Sequence, residues 1–182
     1  MEDLSLHILD IVQNSISAQA DTVSLAVTED PEQDRLIISI DDNGRGMDEE
    51  TAKKVLDPFY TTRTTRKVGL GLPLLGAVAE ACDGNMSIDS QPGKGTKIEV
   101  QFSLSHIDRP PLGSIPDTMV TLLVCNPGVD FVYEHKTASG EFAFDTRLVR
   151  DEIPGIAFED PAILDWIRSY LLEGLSEIHG GV

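Results

Sequence analysis

Residues 41 to 72, DDNGRGMDEETAKKVLDPFYTTRTTRKVGLGL, constrain the chain more than any other stretch. An acidic, glycine-spaced turn follows an apolar run, a basic threonine-rich segment comes next, and the stretch closes on Gly69-Leu70-Gly71-Leu72 at an expected helix start. Glycine lets backbone approach a ligand and adopt positive φ. The free N–H groups and dipole at a helix N-terminus attract phosphate. Arg63, Arg66 and Lys67 form the densest positive cluster of an acidic chain, where an anionic ligand needs it. Together these features outline a nucleotide site.

The balance of charge excludes several other functions. With 31 acidic against 14 Lys and Arg residues, the net charge is -17, and long-range repulsion opposes sequence-independent binding to nucleic acid or an anionic membrane. At 182 residues, 41% hydrophobic and 25% charged, the composition is that of a globular protein. Cys82 and Cys125 lie apart without CxxC spacing, so both are expected as buried thiols in a reducing compartment. No signal peptide or long apolar run appears, which gives a cytoplasmic expectation.

Periodicity supplies the expected elements. Residues 2 to 20 repeat as a helix with Leu6, Leu9, Val12 and Ile16 on one face, widened by Ile8 and Ile11, and with His7, Asp10, Asn14 and Ser17 on a polar face. A hairpin of Thr22 to Thr28 and Arg35 to Ile40 then delivers Asp41 and Asp42 at a strand end. Asp48 is placed to cap a helix over Glu49 to Leu56, and Phe59 to Gly69 reads as a mobile flap. Gly71 to Cys82 is an expected apolar helix, followed by strands at Asn85 to Asp89 and Thr96 to Leu104. The expected fold is α+β, a mixed sheet covered on one face by helices. Pro110, Pro111 and Pro116 mark residues 106–117 as a stiff linker. Beyond it, runs at Met119 to Cys125, Val129 to Lys136 and Glu141 to Val149, then a helix opened by Asp160-Pro161, suggest a separate βββα unit over 118–182.

A series of boxes in order over residues 4 to 104 resembles that of the GHKL superfamily, which includes type II topoisomerases, sensor histidine kinases, MutL and the serine-kinase anti-sigma factors. HILDIVQNSISAQA resembles the N box, DDNGRGM the first glycine box, PFYTTR the box opening the ATP lid, GLGLPL the second glycine box and SQPGKGTKIEV the last. The resemblance implies a Bergerat-type two-layer α/β sandwich over residues 1–105, binding ATP and Mg²⁺. It implies Asn14 as the magnesium ligand and Asp10 where hydrolysing members place a glutamate base. It also implies Asp42 as the adenine-amine acceptor beside Gly44, Gly46 and Met47, with Thr96 joining the adenine side. Thr62, Arg63, Arg66 and Lys67 fall in the implied lid, and Gly69, Leu70, Gly71 and Leu72 in the phosphate cradle. Other phosphate loops do not fit: GxxxxGK[ST] is missing, and Gly69-Leu70-Gly71 lacks the third glycine of a dinucleotide fingerprint.

The chemistry agrees with the resemblance. Magnesium is hard and retains waters, so one amide oxygen plus phosphate oxygens is a suitable shell, and a carboxylate accepts from adenine's amine but repels guanine's carbonyl. The implied activity is a slow ATPase or anti-sigma-type protein kinase acting on a protein partner held by 118–182. The alternative is a nucleotide-sensing module without turnover, resembling small GHKL proteins encoded beside iron-iron hydrogenase subunits. A sensor kinase would carry a helix pair with an acceptor histidine ahead of the N box, so a stand-alone protein is expected. His7 is not an expected acceptor, and Asp10 is one methylene shorter than the usual base.

Overall fold

The computed structural model describes residues 3–57 and 71–179. Two-residue alternation sets the sheet. Along β1 (Thr22–Asp30) the buried side chains are Val23, Leu25 and Val27, and along β2 (Arg35–Asp42) they are Leu36, Ile38, Ile40 and Asp42. The antiparallel register pairs Leu25 with Ile40 and Val27 with Ile38, which puts both sets on one face. β3 (Asn85–Gln91) and β4 (Gly95–Ser103) extend the sheet from β2, with Ile98, Val100 and Phe102 inward. On the other side β5 (Asp130–Thr137) pairs parallel with β1, and β6 (Gly140–Asp145) returns antiparallel. The result is one six-stranded mixed sheet in the order β3-β4-β2-β1-β5-β6.

Helices supply the second layer. α1 (Leu4–Ser17), α3 (Gly71–Ala81), α4 (Ile115–Cys125) and α6 (Pro161–Ile178) contribute buried residues to the same core as the inward strand positions. The alternate positions Ser24, Ala26, Ser39, Glu99 and Glu134 are not buried. Two shorter helices, α2 (Glu49–Lys54) and α5 (Thr146–Glu152), complete the order among the described residues. The α+β expectation of a mixed sheet covered by helices describes this architecture.

Several expectations need correction. Met119 to Cys125 is helical: Ser114 caps the chain by accepting from Asp117 N–H at 3.3 Å, and Pro116 occupies the first turn. Ile115, Met119, Leu122 and Leu123 then recur at helical spacing and are all buried. The third expected strand stops at Asp145, whose carboxylate accepts from Arg147 N–H at 2.9 Å and starts α5. The C-terminal segment therefore reads helix, two strands and two helices, and its strands extend the main sheet. In α1 the buried residues are Leu4, Ser5, His7, Ile8, Ile11, Val12 and Ser15, so His7, expected on the polar face, is buried, whereas Leu6 is 47% exposed. Cys82 is buried as expected, but Cys125, at the end of α4, is exposed.

A polar cluster fastens α6 to the sheet. Glu29 Oε1 lies 2.8 Å from His135 Nε2 and 3.1 Å from His179 Nε2, while Tyr133 Oη lies 2.6 Å from His135 Nδ1. The His135 hydrogen bond, with help from His179 and against burial, lowers the Glu29 pKa from 4.5 to about 2. For His179, burial opposes the charged ring, but hydrogen bonds to Glu29 and the Leu175 carbonyl outweigh it and raise the pKa above 6.5. The lowered carboxylate contributes stability that is complete above pH 4.5 and is lost as pH falls toward 2. The raised imidazole contributes below pH 6.5 and fades as pH rises through its folded value. The fold is thus expected to draw most from this cluster between those limits. Glu29→Gln should flatten the acid limb of the chemical-unfolding midpoint against pH, and an unchanged limb would contradict the assignment.

Candidate functional site

The end of β2 carries Asp42 into the core, 6% exposed. A buried carboxylate requires partners, and two are provided. Ser15 Oγ, from α1, donates to Asp42 Oδ2 at 2.6 Å, and Gly44 N–H donates to Oδ1 at 2.9 Å. Each oxygen keeps accepting capacity after those bonds. Across the β2–β4 ladder, Asp42 stands opposite Thr96, whose Oγ1 lies 2.8 Å from Ser90 Oγ. Ser90 Oγ also accepts from Met47 N–H at 2.8 Å.

Two glycine turns interlock around this carboxylate. Arg45 N–H donates to the Ala18 carbonyl at 2.9 Å, and Gly93 N–H donates to the Arg45 carbonyl at 2.7 Å. Gly46 has φ +67°, and a Cβ there would fall 2.0 Å from the Gln91 carbonyl oxygen. Gly95, at φ +99°, would bring a Cβ to 1.8 Å from the Asp42 carbonyl oxygen. Any side chain at either position would combine backbone strain with collision. The glycines let the DNGRG turn and the β3–β4 turn close on one another, which fixes where Asp42 points.

Above Asp42 lies an open cleft of about 670 Å³, a figure that includes the solvent-filled space at its mouth. Its apolar wall includes Ile11, Met47, Val55, Leu72 and Ile98, and its polar groups include Asn14, Ser15, Asp42 and Thr96. α1 presents Asn14 because Ile11 and Ser15, which flank it on the helix, face the core and the carboxylate. Asp48 caps α2 by accepting from Thr51 N–H at 2.7 Å, and that helix ends on Val55 at the wall. α3 brings Leu72 to the same cleft.

Asp10 is exposed one turn before Asn14 and does not line the cleft's apolar part. It faces the start of α3 instead: a Cβ on Gly71 would sit 3.6 Å from Asp10 Oδ2. The structure thus gathers Asn14, Asp42, Gly44, Gly46, Met47, Leu72 and Thr96 around one cleft, with Asp10 and Gly71 beside it. Thr62, Arg63, Arg66, Lys67, Gly69 and Leu70, and the flap reading of that segment, lie outside the described residues. Sequence reasoning missed Ser15, Ser90 and Val55. The signal for Ser15 was a small polar residue in the apolar stripe of α1, and for Ser90 its register partnership with Thr96.

Residues 2–106 match the family model of the histidine kinase-, DNA gyrase B- and HSP90-like ATPases. The chain belongs to that family. It is a GHKL-superfamily, kinase-like ATP-binding protein. A "Putative sensor protein" of Shewanella frigidimarina is 35% identical over 109 residues, covering 59% of this chain and 17% of that protein. "Sporulation kinase E" of Bacillus subtilis is 36% identical over 93 residues, covering 50% of this chain and 12% of the kinase. The GHKL chain thus spans less than a fifth of either relative. A solved structure described as the N-terminal domain of a DNA repair protein covers 80% of this chain and 52% of its own, with a TM-score of 0.55 at 15% identity. At that identity the likeness concerns the fold alone.

Proposed function

We propose that this GHKL protein binds Mg-ATP in the cleft above Asp42 and uses it as a slow ATPase or a protein kinase acting on a protein hydroxyl. The observation that carries this reading is the buried Asp42 carboxylate, held by Ser15 and Gly44 at the floor of a cleft whose rim presents Asn14. Asp42 accepts from the adenine amino group, and Ile11, Met47, Val55 and Ile98 sandwich the ring. Thr96 and Ser90 complete the polar floor. The Asn14 side-chain oxygen is a hard donor suited to magnesium. When bound, the metal offsets phosphate charge and orients the terminal phosphoryl group. Gly69 to Leu72 and the cations Arg63, Arg66 and Lys67 are assigned to the phosphates.

Asp10 is assigned as the base. Its carboxylate lies one helical turn from Asn14 and against the start of α3, where it can take the proton of a water or serine hydroxyl that attacks the terminal phosphorus as the bond to the β-phosphate oxygen breaks and ADP leaves. Aspartate reaches less far than glutamate, and misplacement by about 1 Å costs on the order of a hundredfold. Asp10→Glu is therefore expected to speed phosphate release, and Asp10→Asn to slow it by about tenfold or more while ATP affinity holds. Labelled ATP followed to free phosphate and to captured protein reads both. Equal turnover in wild type and Asp10→Asn would remove the base assignment.

A second reading, a nucleotide-sensing module that docks on a partner without turnover, draws on α6. There Trp166 stacks on Tyr170 with centroids 5.8 Å apart, and the two rings are 48% and 42% exposed. Paired exposed aromatics of this kind suit a protein contact.

A further inference from the structure

The cluster of Glu29, His135 and His179 stands apart from the nucleotide cleft and is not used by it. Asp42 pairs near the start of β1, at Val23, whereas Glu29 lies near the end of that strand. Six residues of strand separate the two sites by about 20 Å. Three elements meet at the cluster: β1 supplies Glu29, β5 supplies His135, and the C-cap of α6 supplies His179. One ligand atom from each falls within 4.8 Å of the other two.

The hydrogen bonds determine what these atoms face. His179 Nδ1 lies 2.8 Å from the Leu175 carbonyl oxygen, which can only accept. Nδ1 therefore carries a proton, and in the neutral ring Nε2 carries a lone pair. That lone pair points at Glu29 Oε1 across 3.1 Å, acceptor toward acceptor. Such an arrangement requires a cation between the two groups, either a proton or a metal ion. His135 is arranged similarly: Nδ1 meets Tyr133 Oη at 2.6 Å, Nε2 faces the same Glu29 oxygen at 2.8 Å, and the ring is only 1% exposed. A hydroxyl both donates and accepts, so Tyr133 allows His135 to offer a bare Nε2 as well. An oxygen partner on the far ring nitrogen is the usual orienting contact of metal-bound histidine.

We propose that Glu29, His135 and His179 form a site for a borderline divalent transition-metal ion of the zinc class. Two imidazoles and one carboxylate are a recognised zinc donor set, which leaves a fourth position for water. Ligands on a tetrahedral zinc lie about 3.3 Å apart, so the observed 2.8 and 3.1 Å separations need only a few tenths of an ångström of opening. Oxygen-loving magnesium is disfavoured by the two nitrogens. The ion would replace the shared protons and clamp the end of α6 onto β1 and β5. Its affinity would fall with pH as the imidazoles take up protons.

The test uses the full chain, free of any histidine tag and of nucleotide, stripped with a chelator and titrated with Co²⁺ under visible absorption, then with competing Zn²⁺. One equivalent is expected, with the intense bands of a four- or five-coordinate site bleached by zinc. His179→Ala and Glu29→Gln should each weaken binding at least tenfold, with circular dichroism and ATP affinity unchanged. His179 is 40% exposed, so its truncation tests the site without opening the core. Absence of a one-equivalent spectrum, or equal Co²⁺ affinity in His179→Ala, would overturn the proposal. ATP binding is read separately, so failure here is distinguishable from failure of the nucleotide assignment.

Discussion

Asp42→Asn is expected to weaken ATP binding by about tenfold to a hundredfold, on the order of 1–3 kcal/mol, with little change in fold. The carboxylate is an acceptor on every face: Ser15 and Gly44 donate to it at 2.6 and 2.9 Å, and the adenine amine is proposed to donate to what remains. An asparagine has one accepting oxygen and one donating nitrogen. Whichever way it turns, its NH₂ meets the Ser15 hydroxyl, the Gly44 N–H or the adenine amine. Serine can reverse its bond, since its hydroxyl also lies 3.4 Å from the Ile11 carbonyl, but Gly44 and adenine cannot. Calorimetry on the variant, with unfolding monitored in parallel, separates lost affinity from lost structure. Wild-type affinity in Asp42→Asn would remove the adenine assignment.

Truncation after residue 105 should have a still larger effect. The family match ends at residue 106, and the resemblance together with the proline-marked linker after it suggests that 1–105 could stand by itself. In the structure, β5 pairs with β1 from Thr22 to Thr28, so its removal exposes a seven-residue run of strand edge. The same cut removes Ile115, Met119, Leu122, Leu123, Phe131 and Tyr133 from one continuous core. Leu4 and Ser5 lose the Pro111 and Leu112 carbonyls that accept from their N–H groups at 2.9 Å. Burial of a single large apolar side chain contributes about 1.5–3 kcal/mol, and several are lost against a typical total of about 5–15 kcal/mol. The truncated chain is expected to aggregate or to lack a cooperative unfolding transition. A soluble 1–105 fragment that binds ATP normally would show that the ATP-binding part folds independently of the strands beside it.

The N-terminal part was legible because its signals are local. Alternation in β1 and β2, the Asp48 cap and the glycine turns each bear on a few neighbouring residues, and the structure follows them to within a residue or two at most ends. Residues 119 to 125 misled because a short apolar run rich in Val and Leu suits strand and helix alike. What decides it is the Ser114 cap and Pro116 just upstream, within a stretch whose prolines suggested a linker. The parallel pairing of β5 with β1 joins residues more than a hundred positions apart and leaves no local trace. Ser15 escaped notice because its role depends on a partner 27 residues away. The metal-binding candidate was hidden for the same reason, since 106 residues separate Glu29 from His135.

The most direct measurement of the central claim is isothermal titration of the wild-type chain with Mg-ATP and, separately, with Mg-GTP. Asp42 can accept from the adenine amine, whereas the guanine carbonyl at the same position would face a buried carboxylate, acceptor against acceptor. The account predicts one ATP bound per chain and GTP weaker by at least about a hundredfold, equivalent to roughly 2.8 kcal/mol. Equal affinity for the two nucleotides, or no saturable binding of ATP, would contradict it.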